Sequence, residues 1–372
     1  MLPRTVDIVY IVGAGFSHYA GLPLQSEFTS KLLEPRKEEH NPDHALVAFL
    51  ATFVNRVFDH NKKASAKYWP NLEDIFTCID LAANTGHNLG FKYVPSDLRT
   101  VRRALLTRTI NMLHANYGIA SKTDATNWNR LSNFIRKVPT DRSAFISINW
   151  DTVIEQRIKE IRGIEDFEYA CRALPCDFPR KGRVIQKRER RNGIKIIKIH
   201  GSINWLYCDS CRRLYWFPPE KNSEIAAQLL SHEEWKKINS AHKNKLQWYC
   251  SRCDEVCLGT RIATFSYRKA LDFPMFQNSW VSAEHLLRNA KRWVFIGYSL
   301  PAADYEFKYL LKRAQISRKK SPEIVLVTGG PNPRATYDNY QRFFGRVMDL
   351  QKGYFSRGLS RRATQAVTSI PE

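Results

Sequence analysis

The 372 residues hold no window of about 20 apolar residues, which excludes a membrane-spanning helix. The opening stretch MLPRTVDIVYIVGAGFS has too short an apolar core for a signal peptide and no small-residue cleavage pattern. It reads as a first strand. No internal repeat is evident, which excludes solenoids and propellers. Cysteine is sparse, at 8 residues in a long chain, unlike the short, cysteine-dense domains held by disulfides. The expected compartment is therefore a reducing cytoplasm, where paired CxxC motifs are metal sites before they are disulfides. Acidic residues are also in deficit, 36 against 58 Lys and Arg, for a net charge of +22. Such an excess either attracts polyanions (nucleic acid, anionic lipid, a phosphate-rich small molecule) or simply forms a solvated basic surface. With 43% apolar and 25% charged residues the chain can bury a core, so global disorder is excluded.

What is present reads as an α/β protein: a Rossmann-like parallel sheet with an inserted helical module and a small cysteine-pair zinc module. The run VDIVYIV is β-branched and apolar, as expected of a strand buried on both faces, and SAFISIN, IKIIKIH, RWVFIGYSL and EIVLVTGG read as further strands. Residues 43–136 space their apolar side chains at three and four, which predicts helices inserted between the first two strands. A further helix, EIAAQLLSHEEWKKI, is expected between the cysteine pairs. Residues 1–352 are expected to form the α/β domain, with the zinc module at about 206–258. Residues 353–372, basic, Ser-rich and poor in apolar content, are expected to be a flexible tail. Residues 180–198 carry nine Lys or Arg and one Glu and read as an exposed loop or hairpin, suited to non-specific nucleic-acid binding or to an acidic partner face.

Three features carry chemistry. Gly13-Ala14-Gly15 follows the first strand and precedes a helix, which offers backbone N–H groups to a phosphate. The third glycine of the dehydrogenase fingerprint is missing, its place taken by His18, so ordinary hydride transfer is disfavoured. Asn149 and Asp151, His200 with Ser202, and Gly297 with Ser299 each follow a strand directly. In a parallel sheet these carboxyl ends share one edge, where ligands bind. Singly, Asp151 serves equally as a helix cap and Ser299 as a turn residue. Cys208-x-x-Cys211 and Cys250-x-x-Cys253 supply four thiolates for a tetrahedral, structural zinc, with Cys257 a substitute ligand or a bystander.

The order of these elements, GAGFS-x-x-x-GLP, Ile-Asn-x-Asp, His-Gly-Ser, two cysteine pairs and Gly-Tyr-Ser-Leu, resembles the sirtuin-like NAD-consuming enzymes. NLEDIF, SINWDTVIE, KIHGSINWL and FIGYSLPAADYEF look like the bacterial antiphage-defence sirtuin-like NAD glycohydrolases. The resemblance covers most of residues 6–345. It implies that NAD is the substrate, cleaved to nicotinamide and ADP-ribose. It implies that Gly13, Ala14, Gly15 and Ser17 cradle the pyrophosphate, and that Asn149 and Asp151 face the nicotinamide and its ribose. His200 would be the general base, and Gly297 and Ser299 would meet the adenosine side. Two departures weigh against acyl-lysine chemistry. The stretch Gly21-Leu22-Pro23-Leu24-Gln25 lacks the Arg that deacylases carry in Gly-Ile-Pro-x-Phe-Arg, and Trp150 replaces a small aliphatic residue. The cysteine pairs pull towards the deacylases. The alternatives are therefore an NAD-dependent deacylase or ADP-ribosyl transferase, and a nucleotide-dependent nucleic-acid-binding module. An NAD-depleting enzyme must be restrained, which implies a regulatory partner such as an ATPase, or self-assembly into a homo-oligomer.

Overall fold

The computed structural model describes residues 5–34, 42–59, 68–187, 193–238, 247–256, 258–259, 274–330, 332–345 and 353–371. Strand β1 (Ile8–Val12) has all five side chains buried. Among the described residues, seven helices follow before the chain returns to the sheet: α1 (Ala14–His18), α2 (Gln25–Leu32), α3 (Pro42–Val57), α4 (Leu72–Thr85), α5 (Pro95–Asn116), α6 (Ala120–Thr123) and α7 (Ala125–Lys137). Helix α4 shows why. Leu72, Ile75, Phe76, Ile79 and Ala82 fall on one buried stripe, and Gly86 ends the helix in the left-handed conformation that costs other residues strain. In α7 the Asp124 side chain caps the first turn through the Asn127 amide, and Leu131, Phe134 and Ile135 face inward.

Strand β2 (Ser143–Ser147) then pairs in parallel with β1, and α8 (Val153–Arg162) ends at left-handed Gly163. Next come β3 (Phe167–Glu168), β4 (Leu174–Arg180), β5 (Arg183–Gln186), β6 (Ile194–Lys198), β7 (Trp205–Tyr207) and β8 (Leu214–Trp216). The chain continues through α9 (Asn222–Ala227), α10 (His232–Ile238), α11 (Pro274–Asn289), β9 (Arg292–Ile296), α12 (Tyr305–Ile316), β10 (Glu323–Val327), α13 (Pro333–Phe344), β11 (Tyr354–Phe355) and α14 (Arg361–Thr368). No described helix is long and apolar enough to cross a membrane.

The main sheet has the order β11-β10-β9-β1-β2-β6-β3, parallel throughout. Alternate residues of β1 enter different cores: Ile8, Tyr10 and Val12 on one face, Val9 and Ile11 on the other. Both faces are therefore covered, as a parallel sheet requires. The chain winds outward from β1 in one direction through β2 and in the other through β9. The β1–β9 border is thus the topological switch point, where such sheets open a crevice.

The small second sheet, β5-β4-β8-β7, takes two strands from residues 174–186, ahead of the Cys208–Cys211 pair. The basic segment is accordingly a β4–β5 hairpin followed by β6, with residues 188–192 outside the described residues, as is Cys257. The helix expected between the cysteine pairs is two short helices, α9 and α10. They break so that the segment can lie along α5: Glu234 takes an ion pair from Arg103 and a 2.8 Å hydrogen bond from Thr100.

The expected flexible tail is ordered. Tyr354 and Phe355 extend the sheet beside Leu326 and Val327, and Ser360 caps α14 by accepting from the Ala363 amide. Leu359, Ala363 and Val367 are buried at intervals of four, and the Tyr10 hydroxyl donates to the Val367 carbonyl at 3.0 Å. One apolar stripe and an edge strand are enough to dock a segment whose composition is otherwise polar.

Candidate functional site

A crevice of about 1040 Å³ opens at the carboxyl ends of the parallel strands. At its floor the turns after β1 and β9 touch. The Gly13 amide donates to the Ile296 carbonyl at 3.1 Å and the Gly15 amide to Gly297 at 2.9 Å. Gly297 has φ +62°, and a Cβ there would lie 2.2 Å from the Phe16 nitrogen. A Cβ on Gly13 would lie 2.7 Å from the Gly297 oxygen. The glycines are thus required for two backbones to cross. Gly13 lies behind the lining, and the amides of Gly13 and Gly15 are already donated to protein carbonyls. Ala14, Gly15 and Ser17 do line the crevice. Ala14 is the first residue of α1, whose amide has no intrahelical acceptor.

The polar residues from β1, β2 and β6 meet at one end. Asn149 Nδ2 donates to Ser17 Oγ at 2.8 Å, and Ser17 Oγ donates to Asp151 Oδ2 at 2.6 Å. Asp151 Oδ1 accepts the amide of Val153, the first residue of α8, at 3.0 Å, so Asp151 is tied to that helix and faces the crevice at once. His200 lines the same end, with Nδ1 3.2 Å from the Ile148 carbonyl. A carbonyl only accepts, so Nδ1 carries the proton and the basic lone pair is on Nε2. Trp280 packs beside it, with ring centres 6.5 Å apart, and its indole N–H donates to the Ile199 carbonyl.

Gly297 and Ser299 line the crevice on the β9 side. Their turn is braced by the Tyr298 hydroxyl on Asp304 (2.9 Å) and the Tyr340 hydroxyl on the Tyr298 carbonyl (2.9 Å). Burial holds the Tyr298 phenol well above its ordinary value, so it stays a donor. Leu300, with φ +56°, is a non-glycine residue in the left-handed region, where backbone strain collects beside binding sites.

Of the catalytic and NAD-binding residues expected from the sequence, Ala14, Gly15, Ser17, Asn149, Asp151, His200, Gly297 and Ser299 therefore line one cavity, while Gly13 and Ser202 do not. Four further residues, Glu73, Arg130, Thr328 and Arg357, also line the walls, with Glu73 accepting from Gln25 at 2.9 Å. Glu73 belongs to NLEDIF and Thr328 follows EIVLV, so both had a local signal. Arg130 and Arg357 had none.

Away from the crevice, the sulfurs of Cys208, Cys211, Cys250 and Cys253 all lie within 4.8 Å of one another. Cys208–Cys253 and Cys211–Cys250 are each 3.5 Å apart. Four thiolates about 2.3 Å from a tetrahedral zinc would be about 3.8 Å from each other, so the cluster fits that ion. Burial raises the Cys250 thiol, but the Tyr215 hydroxyl at 3.0 Å and the Arg252 and Cys253 amides together bring it down to about 6. That is the ionised form a metal takes.

No protein-family model matches the chain, and no curated protein does. Among solved structures it is similar to a Sir2 enzyme studied for mechanism and regulation: 13% identity, 98% of this chain and 91% of that one, TM-score 0.41. It is also similar to a sirtuin studied for substrate affinity, at 14% identity over 97% and 92% of the two chains, TM-score 0.44. A Sir2–p53 peptide–NAD+ complex matches at 15% identity over 96% and 91%, TM-score 0.35. Likeness at this level assigns neither family nor activity.

Proposed function

We propose that the protein binds NAD across the strand ends and hydrolyses its N-glycosidic bond. The observation that carries this is the Ser17–Asn149–Asp151 hydrogen-bonded chain beside His200, at the switch point of a parallel sheet. A binding module has no need of a fixed-tautomer imidazole next to a buried carboxylate. Breaking the bond between the ribose C1′ and the nicotinamide nitrogen sends the electron pair into the pyridinium ring, which leaves neutral. No strong acid is therefore needed, and the protein must stabilise positive charge building on C1′. The Asp151 carboxylate supplies negative charge, and Ser17 and Asn149 position the ribose and the water. The water oxygen bonds to C1′, and His200 Nε2 receives its proton.

The test is incubation with NAD and analysis of products. Wild type should release nicotinamide and ADP-ribose in equal amounts. Asn149→Ala should lose that activity and keep its unfolding midpoint, because Asn149 is only half-buried and its side chain bonds Ser17 within the crevice rather than the core. Undiminished cleavage by Asn149→Ala would remove the assignment.

The cysteine cluster favours the second reading, a deacylase or ADP-ribosyl transferase, since four thiolates beside such a sheet are a deacylase feature in the resemblance. An acyl-lysine peptide added to the same incubation separates the two by what captures the ribose. In either case zinc is structural, for four sulfurs leave no position for water. Metal analysis should return about one zinc per chain. Cys250→Ser should lose the zinc and lower the thermal midpoint, since site formation and folding are linked. Wild-type protein without zinc would end this part of the proposal. A regulated role in antiphage defence, in the cytoplasm and under a partner such as an ATPase or within a homo-oligomer, rests on the sequence resemblance and on the need to restrain NAD loss.

A further inference from the structure

The proposed chemistry occupies the β2–β6 end of the crevice. Strand order defines the opposite end. From β6 the sheet runs β2, β1, β9, β10, β11, five intervals of about 4.8 Å. His200 and the residues after β11 therefore stand roughly 24 Å apart along one edge. A dinucleotide with its ribosyl bond at His200 extends its phosphates and adenosine towards β10 and β11.

That ligand brings negative charge, and the glycine turn answers little of it. The Gly13 and Gly15 amides are bonded to carbonyls, and Gln25 and Glu73 stand on the adjoining wall. The cations come from elsewhere. Arg130 reaches the crevice from α7 and is near enough to act electrostatically on Tyr19. Among the described residues its guanidinium donates to Asn127 Oδ1, at 3.4 Å. Arg357 reaches the crevice from the segment after β11.

The same tyrosine holds that segment in place. The Leu359 amide donates to the Tyr19 hydroxyl at 2.8 Å, and the Gly358 amide to the Thr328 carbonyl at 2.9 Å. Gly358 has φ +62°, and a Cβ on it would fall 1.9 Å from the Tyr19 hydroxyl oxygen, so only glycine passes there. Among the described residues neither Arg130 nor Arg357 has a carboxylate within ion-pair distance. Two guanidiniums, uncompensated and lining one crevice, suit a phosphate, whose oxygens match their planar forks.

Resting on the dinucleotide reading, we infer that Arg130 and Arg357 recognise a phosphate at the end of the crevice remote from His200, which makes residues 353–371 part of the binding site. The phosphate is either the diphosphate of the ligand or a 2′-phosphate on its adenosine ribose.

The test is calorimetric titration of the full chain with ADP-ribose, ADP-ribose 2′-phosphate and inorganic pyrophosphate. Wild type, Arg130→Gln, Arg357→Gln and Arg357→Lys are compared. Each Gln variant should weaken ADP-ribose about tenfold or more, as expected for loss of a charged hydrogen bond. Arg357→Lys should recover part of the loss, and the exposed position of Arg357 should leave the unfolding midpoint unchanged. Equal weakening of both ADP-ribose forms assigns the diphosphate. A wild-type preference for the 2′-phosphate that disappears in Arg357→Gln assigns that group. Unchanged affinity in both Gln variants overturns the inference and leaves NAD cleavage standing. If wild type binds neither ADP-ribose nor NAD, the dinucleotide reading falls. Pyrophosphate then rules on the inference: arginine-dependent binding keeps it, and none ends it.

Discussion

His200→Ala should lower the rate of NAD cleavage by about 10²–10⁴, the usual contribution of a positioned general base, with ADP-ribose affinity changed little. The imidazole does two separable things. Nδ1–H donates to the Ile148 carbonyl, which ties the end of β6 to the loop after β2, and Nε2 takes the proton. Ala removes both and strands a partly buried carbonyl, at about 1–3 kcal/mol. His200→Gln separates them: its amide can still donate to Ile148 but is not a base. Gln should therefore fold like wild type and remain slow. Retention of a third or more of the wild-type rate in His200→Gln would discard the general-base role.

Lys198→Met should destabilise the fold by about 3–5 kcal/mol, the cost of leaving one partner of a buried ion pair alone. Lys198 and Glu155 are each 0% exposed, with Nζ 3.4 Å from Oε1. Lys198 also donates to the Asp151 carbonyl, and Glu155 accepts from the Tyr169 hydroxyl at 3.3 Å. Asn204 continues the chain from Tyr169 to the Phe217 carbonyl next to the cysteine-bearing sheet. Burial pushes the Glu155 carboxyl up, with Lys198 opposing it. Without the lysine the buried carboxyl loses the charge that most opposes its burial, and native Glu155 keeps its proton. The unfolded carboxyl loses its proton above about pH 4.3. The native state then binds more protons than the unfolded one, so the variant should lose stability as pH rises through that window. Denaturant titrations at pH 5 and pH 8 would show it. Adding Glu155→Gln should recover much of the loss and flatten the pH dependence. A single variant as stable as wild type at both pH values would contradict the pairing.

Much of the site is legible in the chain because a strand buried on both faces must be mostly apolar and β-branched. VDIVYIV, SAFISIN, IKIIKIH, RWVFI and EIVLV each announce themselves that way, and the first polar residue after each marks a strand end on the crevice edge. Asn149, Asp151, His200 and Ser299 follow from that rule, and the four cysteines from their spacing. Other features depend on which elements abut, and no local period encodes that. Lys198 reads as a solvent-facing lysine until Glu155 of α8 is packed against it. The amides of Gly13 and Gly15 look available until the β9 turn takes them. The last twenty residues look too polar to dock, yet Leu359, Ala363 and Val367 suffice once α7 offers a surface and β10 an open edge. Arg130 and Arg357 lie 227 positions apart in the chain and reach one cavity only because Tyr19 and Gly358 interlock. A side chain's burial is written into its neighbours along the chain, whereas its partner is set by how the elements close on one another.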